Sequence, residues 1–192
     1  MFATTLDEGA ELRPLEPWQA QEFLEHIGRA REYAGPWVPF TATVDDLASA
    51  RNVLQRHADR QAADTGRFCG IWLDGRLVGG VFFRVFDTSV DGCEVGVWLE
   101  PSAAGRGLVN KASKVFIDWA VYERGMHRVE WLVSSLNDRS RAAARRLGFV
   151  KDGVLRESFP WQGIRHDMEV WSVLAPEWRV LREGEGPGGP VR

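Results

Sequence analysis

The residues with the clearest chemical potential lie between positions 94 and 112, where an alternating strand, a glycine turn and a helix follow one another. On the strand, Glu94 shares one face with Gly96 and Trp98, so a carboxylate stands beside a residue without a side chain, which a thin group can approach. After the turn, the first amide groups of the helix form a positive end where an anion can bind. This order indicates an enzyme that holds a phosphorylated cofactor beside an ionisable group.

The turn Gly105-Arg106-Gly107 matches neither the Walker phosphate loop nor the Gly-x-Gly-x-x-Gly dinucleotide pattern. Basic side chains surround the turn and return at high density in a later short helix: Arg106, Lys111, Lys114, Arg139, Arg141, Arg145 and Arg146. Cations and backbone amides together suit a ligand with several phosphates. A plain tight turn and a solvated arginine face are the structural alternatives.

A second group of candidate residues is Asn137 with Ser140. Asn137 suits the N-cap of a short helix, a structural role that would by itself explain the residue. Ser140 lies one turn further on, where its hydroxyl can point back over the helix start and protonate a leaving thiolate. An ordinary polar residue of the helix is the alternative for Ser140.

The turn and the strand need a scaffold, and hydrophobic spacing predicts one. Strands are expected at 10–15, 68–73, 77–86, 93–99, 128–134, 149–155 and 165–174, and helices at about 20–30, 47–61, 108–124 and 138–147. Strands and helices alternate, but the central strands are joined by hairpins. The expected fold class is therefore α/β (α+β), with a mixed, mostly antiparallel central sheet of about six to seven strands and about four flanking helices.

Composition places the chain among ordinary globular proteins. It has 192 residues, 44% hydrophobic and 27% charged, and its net charge of −3 gives no overall electrostatic reason to bind nucleic acid. The sequence has no apolar run long enough to cross a membrane and no secretion signal. Cys69 and Cys93 lie far apart and do not have the spacing of a metal-binding or redox motif. This favours a reducing cytoplasm as the location of the protein. Residues 1–181 are expected to form one domain, and the glycine-rich residues 182–192 a disordered tail.

Several motifs, taken in order, resemble the GNAT superfamily of N-acetyltransferases, and within it the RimJ/RimL-like branch that acetylates the N-termini of ribosomal proteins. They are Glu94-Val-Gly-Val-Trp-Leu, Pro101, Gly105-Arg-Gly107, Asn137-x-x-Ser140, Leu147-Gly-Phe149 and Gly163-x-x-x-Asp167. The resemblance covers residues 10–178 and implies acetyl-CoA as donor. Ser102 departs from the family turn, which often begins with Gln or Arg. Asn110-Lys111-Ala112 replaces the usual Thr-Glu-Ala. Neither change removes a backbone donor.

The resemblance also assigns roles to residues. The cofactor diphosphate would lie on the backbone of Ala104, Gly105, Arg106, Gly107, Leu108 and Val109. The pantetheine arm would follow the strand at Trp98 and Leu99, between it and the strand at 128–134. Asn137 would touch the arm, and Ser140 would lie near the sulfur. For Trp98, simple packing is the alternative.

The chemistry implied is direct transfer of an acetyl group from a thioester to a neutral amine. An α-amino group, with a pKa of about 8, loses its proton more easily than a lysine at about 10.4, so a carboxylate base suits an α-amine better. Glu94 is the first candidate base, Glu157 and Asp167 are weaker candidates, and a buried structural carboxylate is the alternative for Glu94. Trp37 and Phe40 are expected to line the acceptor pocket, with Trp161 opposite, and a small hydrophobic core under the loops is the alternative.

Three functions remain open at this stage. The leading one is an N-acetyltransferase for an α-amino group of a protein, peptide or small molecule. A second keeps the chemistry but takes an aminoglycoside or a metabolite amine. A third is a non-catalytic sensor that binds coenzyme A. No metal, nucleic acid or membrane is expected as a partner, and whether the chain forms a homodimer is left open.

Overall fold

The computed structural model describes residues 3–184, and these residues form eight strands and six α-helices. The strands are β1 (Thr4–Asp7), β2 (Ala10–Pro14), β3 (Phe68–Leu73), β4 (Arg76–Asp87), β5 (Gly92–Leu99), β6 (Arg128–Ser134), β7 (Val150–Trp161) and β8 (Ile164–Leu174). The helices are α1 (Ala20–Ala34), α2 (Pro39–Thr43), α3 (Leu47–Ala62), α4 (Leu108–Asp118), α5 (Asp138–Arg146) and α6 (Ala175–Gly184).

The strands form one mixed sheet in the order β1-β2-β3-β4-β5-β6-β8-β7. Strands β5 and β6 run parallel, and β1–β2, β2–β3, β3–β4, β6–β8 and β7–β8 are antiparallel. The predicted class, a mixed and mostly antiparallel sheet with flanking helices, is confirmed. The sheet has one strand more than the upper expectation, because β1 adds a short edge strand to β2. Helices α2 and α6 were also not predicted.

The described residues divide into two compact units. The first unit contains the residues up to Phe83 together with Gly96–Ser113, and the second contains Arg84–Val95 and the residues from Lys114 onwards. In the first unit, α1 buries Phe23, Ile27 and Ala30 completely, as their helical spacing predicts. Helix α3 begins at an N-cap, Asp46, whose side chain accepts a hydrogen bond from the backbone N–H of Ser49 at 2.7 Å.

The core of the second unit is built on β6 and β8, whose inward residues include Val129, Trp131 and Val173. Helix α6 is held by Asp118, which accepts a hydrogen bond from the Trp178 indole at 2.8 Å and pairs with Arg182 at 3.0 Å. The first three residues of the predicted disordered tail, 182–184, are therefore helical. Residues 185–192 of that tail lie outside the described residues, and the domain boundary stays a prediction.

Between residues 3 and 184, the structure contains no helix that combines the length and the apolar character needed to cross a membrane.

Candidate active site

The predicted anion-binding turn lies in the first unit, between β5 and α4. After a short 3-10 turn at Pro101–Ala103, the backbone takes positive φ angles at Gly105 (82°) and Gly107 (73°). A Cβ built on either glycine would meet no atom within 4 Å. The glycines are therefore required by the backbone conformation and not by crowding, which leaves the surface of the turn open.

The backbone of this turn carries a run of amide donors. The Ala104 N–H is bonded to the Pro101 carbonyl at 3.1 Å, and the Lys111 N–H to the Gly107 carbonyl at 3.0 Å. Within residues 3–184, no backbone carbonyl accepts a hydrogen bond from the amides of residues 105–109, which lie between these two. Five successive amide donors at the start of a helix create a positive potential, which suits the binding of a diphosphate.

The basic side chains predicted around the turn are only partly available to a ligand. Lys111 is paired with Asp7, whose pKa is lowered by that hydrogen bond. Arg141, on α5 in the second unit, donates to Glu169 at 3.1 Å and to Asp138 at 2.8 Å. Arg106 is exposed in the turn itself. Lys111 and Arg141 are thus paired within the protein, whereas the backbone amides of residues 105–109 have no backbone acceptor among the described residues.

The side chain of Trp98 belongs to the core of the first unit. It is 2% exposed, stacks on Phe68 with ring centroids 5.0 Å apart, and meets Phe40 edge-on at 5.2 Å. A Cβ on Gly80, in β4, would lie 2.0 Å from the Trp98 ring. Packing explains this indole, so only the main chain at Trp98 and Leu99 is left to follow a cofactor. The adjacent Gly79-Gly80 pair within a strand was the sequence signal for this close approach.

Gly96 also has a neighbour that the sequence did not reveal. The ring of Phe82 lies against it, and a Cβ at this position would come within 2.5 Å of the ring. The thin space expected at Gly96 is thus filled by an aromatic side chain of the first unit. Phe82 in turn contacts Phe40 at 5.9 Å and His57 at 5.7 Å.

A buried carboxylate, Glu100, stands directly before the glycine turn and was missed by the sequence reasoning. It is 1% exposed and accepts hydrogen bonds or ion pairs from four side chains. They are His26 at 3.3 Å, Arg29 at 2.9 Å, Arg76 at 3.1 Å and Ser102 at 2.5 Å. These donors come from α1, β4 and the turn, so no local spacing in the sequence announces them. Burial acts to raise the pKa of Glu100, but Ser102 and Arg29 outweigh it and lower that pKa.

The hydrogen bonds of His26 fix its tautomer. The Trp98 indole nitrogen, which can only donate, lies 2.9 Å from His26 Nε2, so Nε2 must accept. The proton of the neutral ring is then on Nδ1, which donates to Glu100. Burial lowers the pKa of His26 to about 4, in agreement with a neutral ring at pH 7. A continuous chain of hydrogen bonds therefore runs from Trp98 through His26 and Glu100 to Ser102.

Glu94, the candidate base, is buried in the second unit beside Arg84. The guanidinium holds both carboxylate oxygens, with Nε and Nη2 each at 2.5 Å. Burial raises the pKa of Glu94, although Arg84 acts in the opposite direction. A raised pKa suits a general base near neutral pH. The bidentate salt bridge with Arg84 fits a structural carboxylate equally well. The weaker candidates lie together, with Asp167 accepting from the Glu157 backbone N–H at 2.8 Å.

Asn137 and Ser140 meet at the start of α5 in the second unit. The Asn137 side chain accepts a hydrogen bond from the Ser140 backbone N–H at 3.1 Å and caps the helix, as predicted. The Ser140 hydroxyl oxygen accepts a hydrogen bond from the indole N–H of Trp131 at 2.9 Å. The spacing of Asn137 and Ser140 predicted the first contact, but the partner on β6 was not anticipated.

The residues expected to line an acceptor pocket are half-buried. In the first unit, Phe40 packs against Phe23, Phe68, Phe82 and Trp98, and Trp37 lies just before it. In the second unit, Trp161 stacks on Phe159 with ring centroids 6.2 Å apart. Phe40 thus packs against the core of the first unit, and Trp161 pairs with Phe159 in the second.

The fold and the glycine turn are those of an acetyltransferase domain. Residues 10–150 match the family model described as the acetyltransferase (GNAT) domain. The chain belongs to the GNAT family and is an N-acetyltransferase, so the resemblance read from the motifs is confirmed.

Individual relatives agree with this assignment. The protein named "Putative ribosomal N-acetyltransferase YdaF" of Bacillus subtilis (strain 168) is 30% identical over 186 residues, which are 96% of this chain and 100% of that protein. A crystal structure of a "Probable acetyltransferase" is 27% identical with a TM-score of 0.86, covering 93% of this chain and 99% of that one. The structure of RimL, a ribosomal alpha-N-protein acetyltransferase in complex with coenzyme A, is 16% identical with a TM-score of 0.85. The match covers 90% of this chain and 97% of the RimL chain. The likeness to RimL is one of fold.

Proposed function

We propose that this protein transfers the acetyl group of acetyl-CoA directly to the α-amino group of a protein or peptide. The observation that carries the proposal is the run of amide donors at residues 105–109, which includes the positive-φ residues Gly105 and Gly107 and continues into α4. The coenzyme A bound in the RimL structure and the ribosomal acceptor in the name of YdaF support it.

The diphosphate of acetyl-CoA is assigned to the backbone of residues 104–109, because the amides of 105–109 have no backbone acceptor among the described residues, while the Ala104 amide is bonded to Pro101. The pantetheine arm is assigned to the main chain at Trp98 and Leu99, since the Trp98 indole is used in packing. Asn137 is assigned a contact with the arm in addition to its cap. When bound, acetyl-CoA supplies the activated thioester, and the protein supplies the position and the hydrogen-bond donors.

The proposed reaction forms one bond to the acetyl carbon and breaks one, and proton transfers accompany the exchange. The amine nitrogen forms an N–C bond with the acetyl carbon, and the C–S bond breaks with its electron pair going to sulfur. Ser140 gives its hydroxyl proton to the departing sulfur and regains a proton from solvent. The nitrogen loses one proton to Glu94, directly or through water. Correct placement of amine and thioester can correspond to effective molarities of about 10⁵ M or more.

An α-amine is favoured as the acceptor because of its ordinary pKa. To react at pH 7, an α-amino group near pKa 8 must lose its proton at a cost of about 1.4 kcal/mol, against about 4.6 kcal/mol for a lysine. A carboxylate base is adequate for the first and weak for the second. We therefore place protein or peptide N-termini ahead of lysine side chains and of polyamines.

Two other functions stay as alternatives. An aminoglycoside or metabolite amine would use the same chemistry with a smaller acceptor, and the stacked rings of Phe159 and Trp161 offer such a ligand an aromatic surface. A non-catalytic sensor would bind acetyl-CoA without turnover. The Ser140 hydroxyl, which no described residue binds as an acceptor, favours an enzyme over a sensor.

The test is a thiol-release assay with acetyl-CoA and a matched set of amines. A lysine-free peptide with a free N-terminus is compared with an N-blocked peptide that carries one lysine, with spermidine and with an aminoglycoside. We expect the free N-terminus to react at least tenfold faster than the blocked peptide. Faster turnover of the aminoglycoside would favour the first alternative, and binding of acetyl-CoA without thiol release from any amine would favour the sensor.

A further inference from the structure

The hydroxyl of Ser140 is oriented by a residue that the proposed reaction has not used. We infer that Trp131 is a positioning residue for acetyl transfer, because its indole N–H binds a lone pair of the Ser140 oxygen and leaves the hydroxyl proton free for the departing sulfur. This role rests on the proposed function, in which Ser140 supplies that proton.

The contact between the two side chains is fixed from both ends. Trp131 lies on β6, is 2% exposed, and meets the ring of Phe149 edge-on with centroids 6.0 Å apart. Its Nε1 lies 2.9 Å from the Ser140 oxygen. Ser140 is held in turn by the cap, in which its backbone N–H donates to Asn137 at 3.1 Å. The indole cannot turn away without loss of its packing, and the cap fixes the backbone from which the Ser140 hydroxyl projects.

The chemistry of the two groups decides the direction of the hydrogen bond. An indole N–H is a donor only, so the Ser140 oxygen must accept. A serine hydroxyl has one proton and two lone pairs, and its proton remains to be given. Among residues 3–184, no side-chain or backbone acceptor binds that proton. A serine in a helix often donates to the carbonyl four residues before it, and that competing bond is not formed here.

In the reaction, the hydrogen bond from Trp131 orients the Ser140 hydroxyl towards the departing sulfur. When the C–S bond breaks, sulfur takes the electron pair and the proton of Ser140, and solvent returns a proton to the hydroxyl. Trp131 keeps its own proton throughout and donates to the oxygen while negative charge develops there. The indole thus acts on the rate of transfer and not on the binding of coenzyme A.

The test is a double-mutant cycle that joins Trp131→Phe with Ser140→Ala. Phenylalanine keeps the aromatic contact with Phe149 but has no N–H. We expect Trp131→Phe to lower kcat about three- to tenfold, the size of one hydrogen bond, and to leave the Kd for coenzyme A unchanged. In the Ser140→Ala background the same substitution should change kcat less than twofold. In addition, the indole N–H resonance of Trp131 in ¹⁵N-labelled protein should shift in Ser140→Ala.

Trp178→Phe is the matched control, because it removes another buried indole N–H bond of the second unit, the one to Asp118. It should lower the melting temperature and leave kcat unchanged. An equal loss of kcat from Trp131→Phe in both backgrounds, or an unmoved indole resonance, would overturn the positioning role while the proposed function stands. If Ser140→Ala itself left kcat unchanged, the acid role in the proposed function would fail, and the role of Trp131 with it.

Discussion

The imidazole of His26 and the carboxylate of Glu100 are hydrogen-bonded at 3.3 Å inside the protein, although they lie 74 positions apart in the chain. Both side chains are buried, and the network that they share reaches Trp98 on β5 and Ser102 at the start of the glycine turn. A buried carboxylate is tolerated only when its lone pairs are satisfied. The four donors around Glu100 meet that condition at the base of the proposed cofactor site.

The neutral state of His26 predicts a loss of stability in mild acid. Burial lowers the folded-state pKa of His26 to about 4, whereas the unfolded chain takes up a proton near pH 6.5. The unfolded state therefore binds more protons between these values, and the free energy of unfolding falls as the pH falls from 6.5 towards 4, by about 3 kcal/mol from this group. Urea unfolding at several pH values in this range measures this dependence. The free energy of unfolding of His26→Gln should fall less steeply as the pH falls. If the free energy of unfolding of His26→Gln depended on pH as steeply as that of the unmodified protein, His26 would not be the group responsible.

Loss of the Ser102 hydroxyl should weaken cofactor binding and, because it removes a donor to the buried carboxylate of Glu100, should also lower the free energy of unfolding. The hydroxyl ties the start of the turn to Glu100 at 2.5 Å. We expect Ser102→Ala to raise the Kd for coenzyme A about three- to tenfold, the value of one hydrogen bond. Ser89→Ala is the matched control, because Ser89 donates to the carboxylate two residues before it, Asp87, in the same manner at 2.6 Å. Equal affinities in the two variants would show that the tether does not shape the turn.

Alanine at either glycine of the turn should damage binding more than folding. Gly105→Ala and Gly107→Ala place a Cβ in open space but force a left-handed backbone that costs about 1–2 kcal/mol. A shift of the backbone that relieves this strain would move the amide donors, so we expect the Kd for coenzyme A to rise at least tenfold. Gly75→Ala in the β3–β4 turn, with a φ of 77° and equally open surroundings, is the control. It should lose similar stability and keep its affinity.

The identity of the general base can be read from the pH dependence of kcat/KM. A base must be unprotonated to act, so the rate falls below its pKa. Because burial raises the pKa of Glu94, Glu94→Gln should remove an acid limb that lies above the ordinary range of a free glutamate. Glu157→Gln and Asp167→Asn should keep that limb. If Asp167→Asn were the variant that removed it, the base would be Asp167 and the Glu94–Arg84 pair would be structural.

Local patterns predicted the elements that position the site. The alternation in β5, the Asp74-Gly75 pair between β3 and β4, and the apolar stripe of α1 each depend on neighbours in the sequence. The predicted helix from 108 to 124 is found as α4 followed by a π-helical turn at Trp119–Glu123, which ends before Gly125 with its φ of 68°. Strand β7 continues six residues beyond its expected end. A register shift between Leu155 and Phe159 interrupts its pairing and hides the strand pattern.

The contacts that give the candidate site its character could not be predicted in this way. The ring of Phe82 over Gly96, the donors around Glu100 and the Trp131 indole on Ser140 all join residues from different elements. Such pairs follow from sheet order and side-chain packing, which a single sequence does not encode as a spacing. The motif residues indicated where the chemistry lies, and the tertiary structure supplies the groups that orient it.

The most direct test of the proposed function is calorimetry with coenzyme A and with pantetheine, which lacks both the diphosphate and the adenosine 3′-phosphate of coenzyme A. Coenzyme A carries the diphosphate that the amides of residues 105–109 are proposed to bind, and pantetheine has the same thiol arm without it. We predict that coenzyme A binds with measurable heat and raises the melting temperature, and that pantetheine binds at least a hundredfold more weakly. Equal affinities for the two ligands, or no heat from coenzyme A at about 1 mM, would contradict the central claim that the main chain of this turn holds the cofactor.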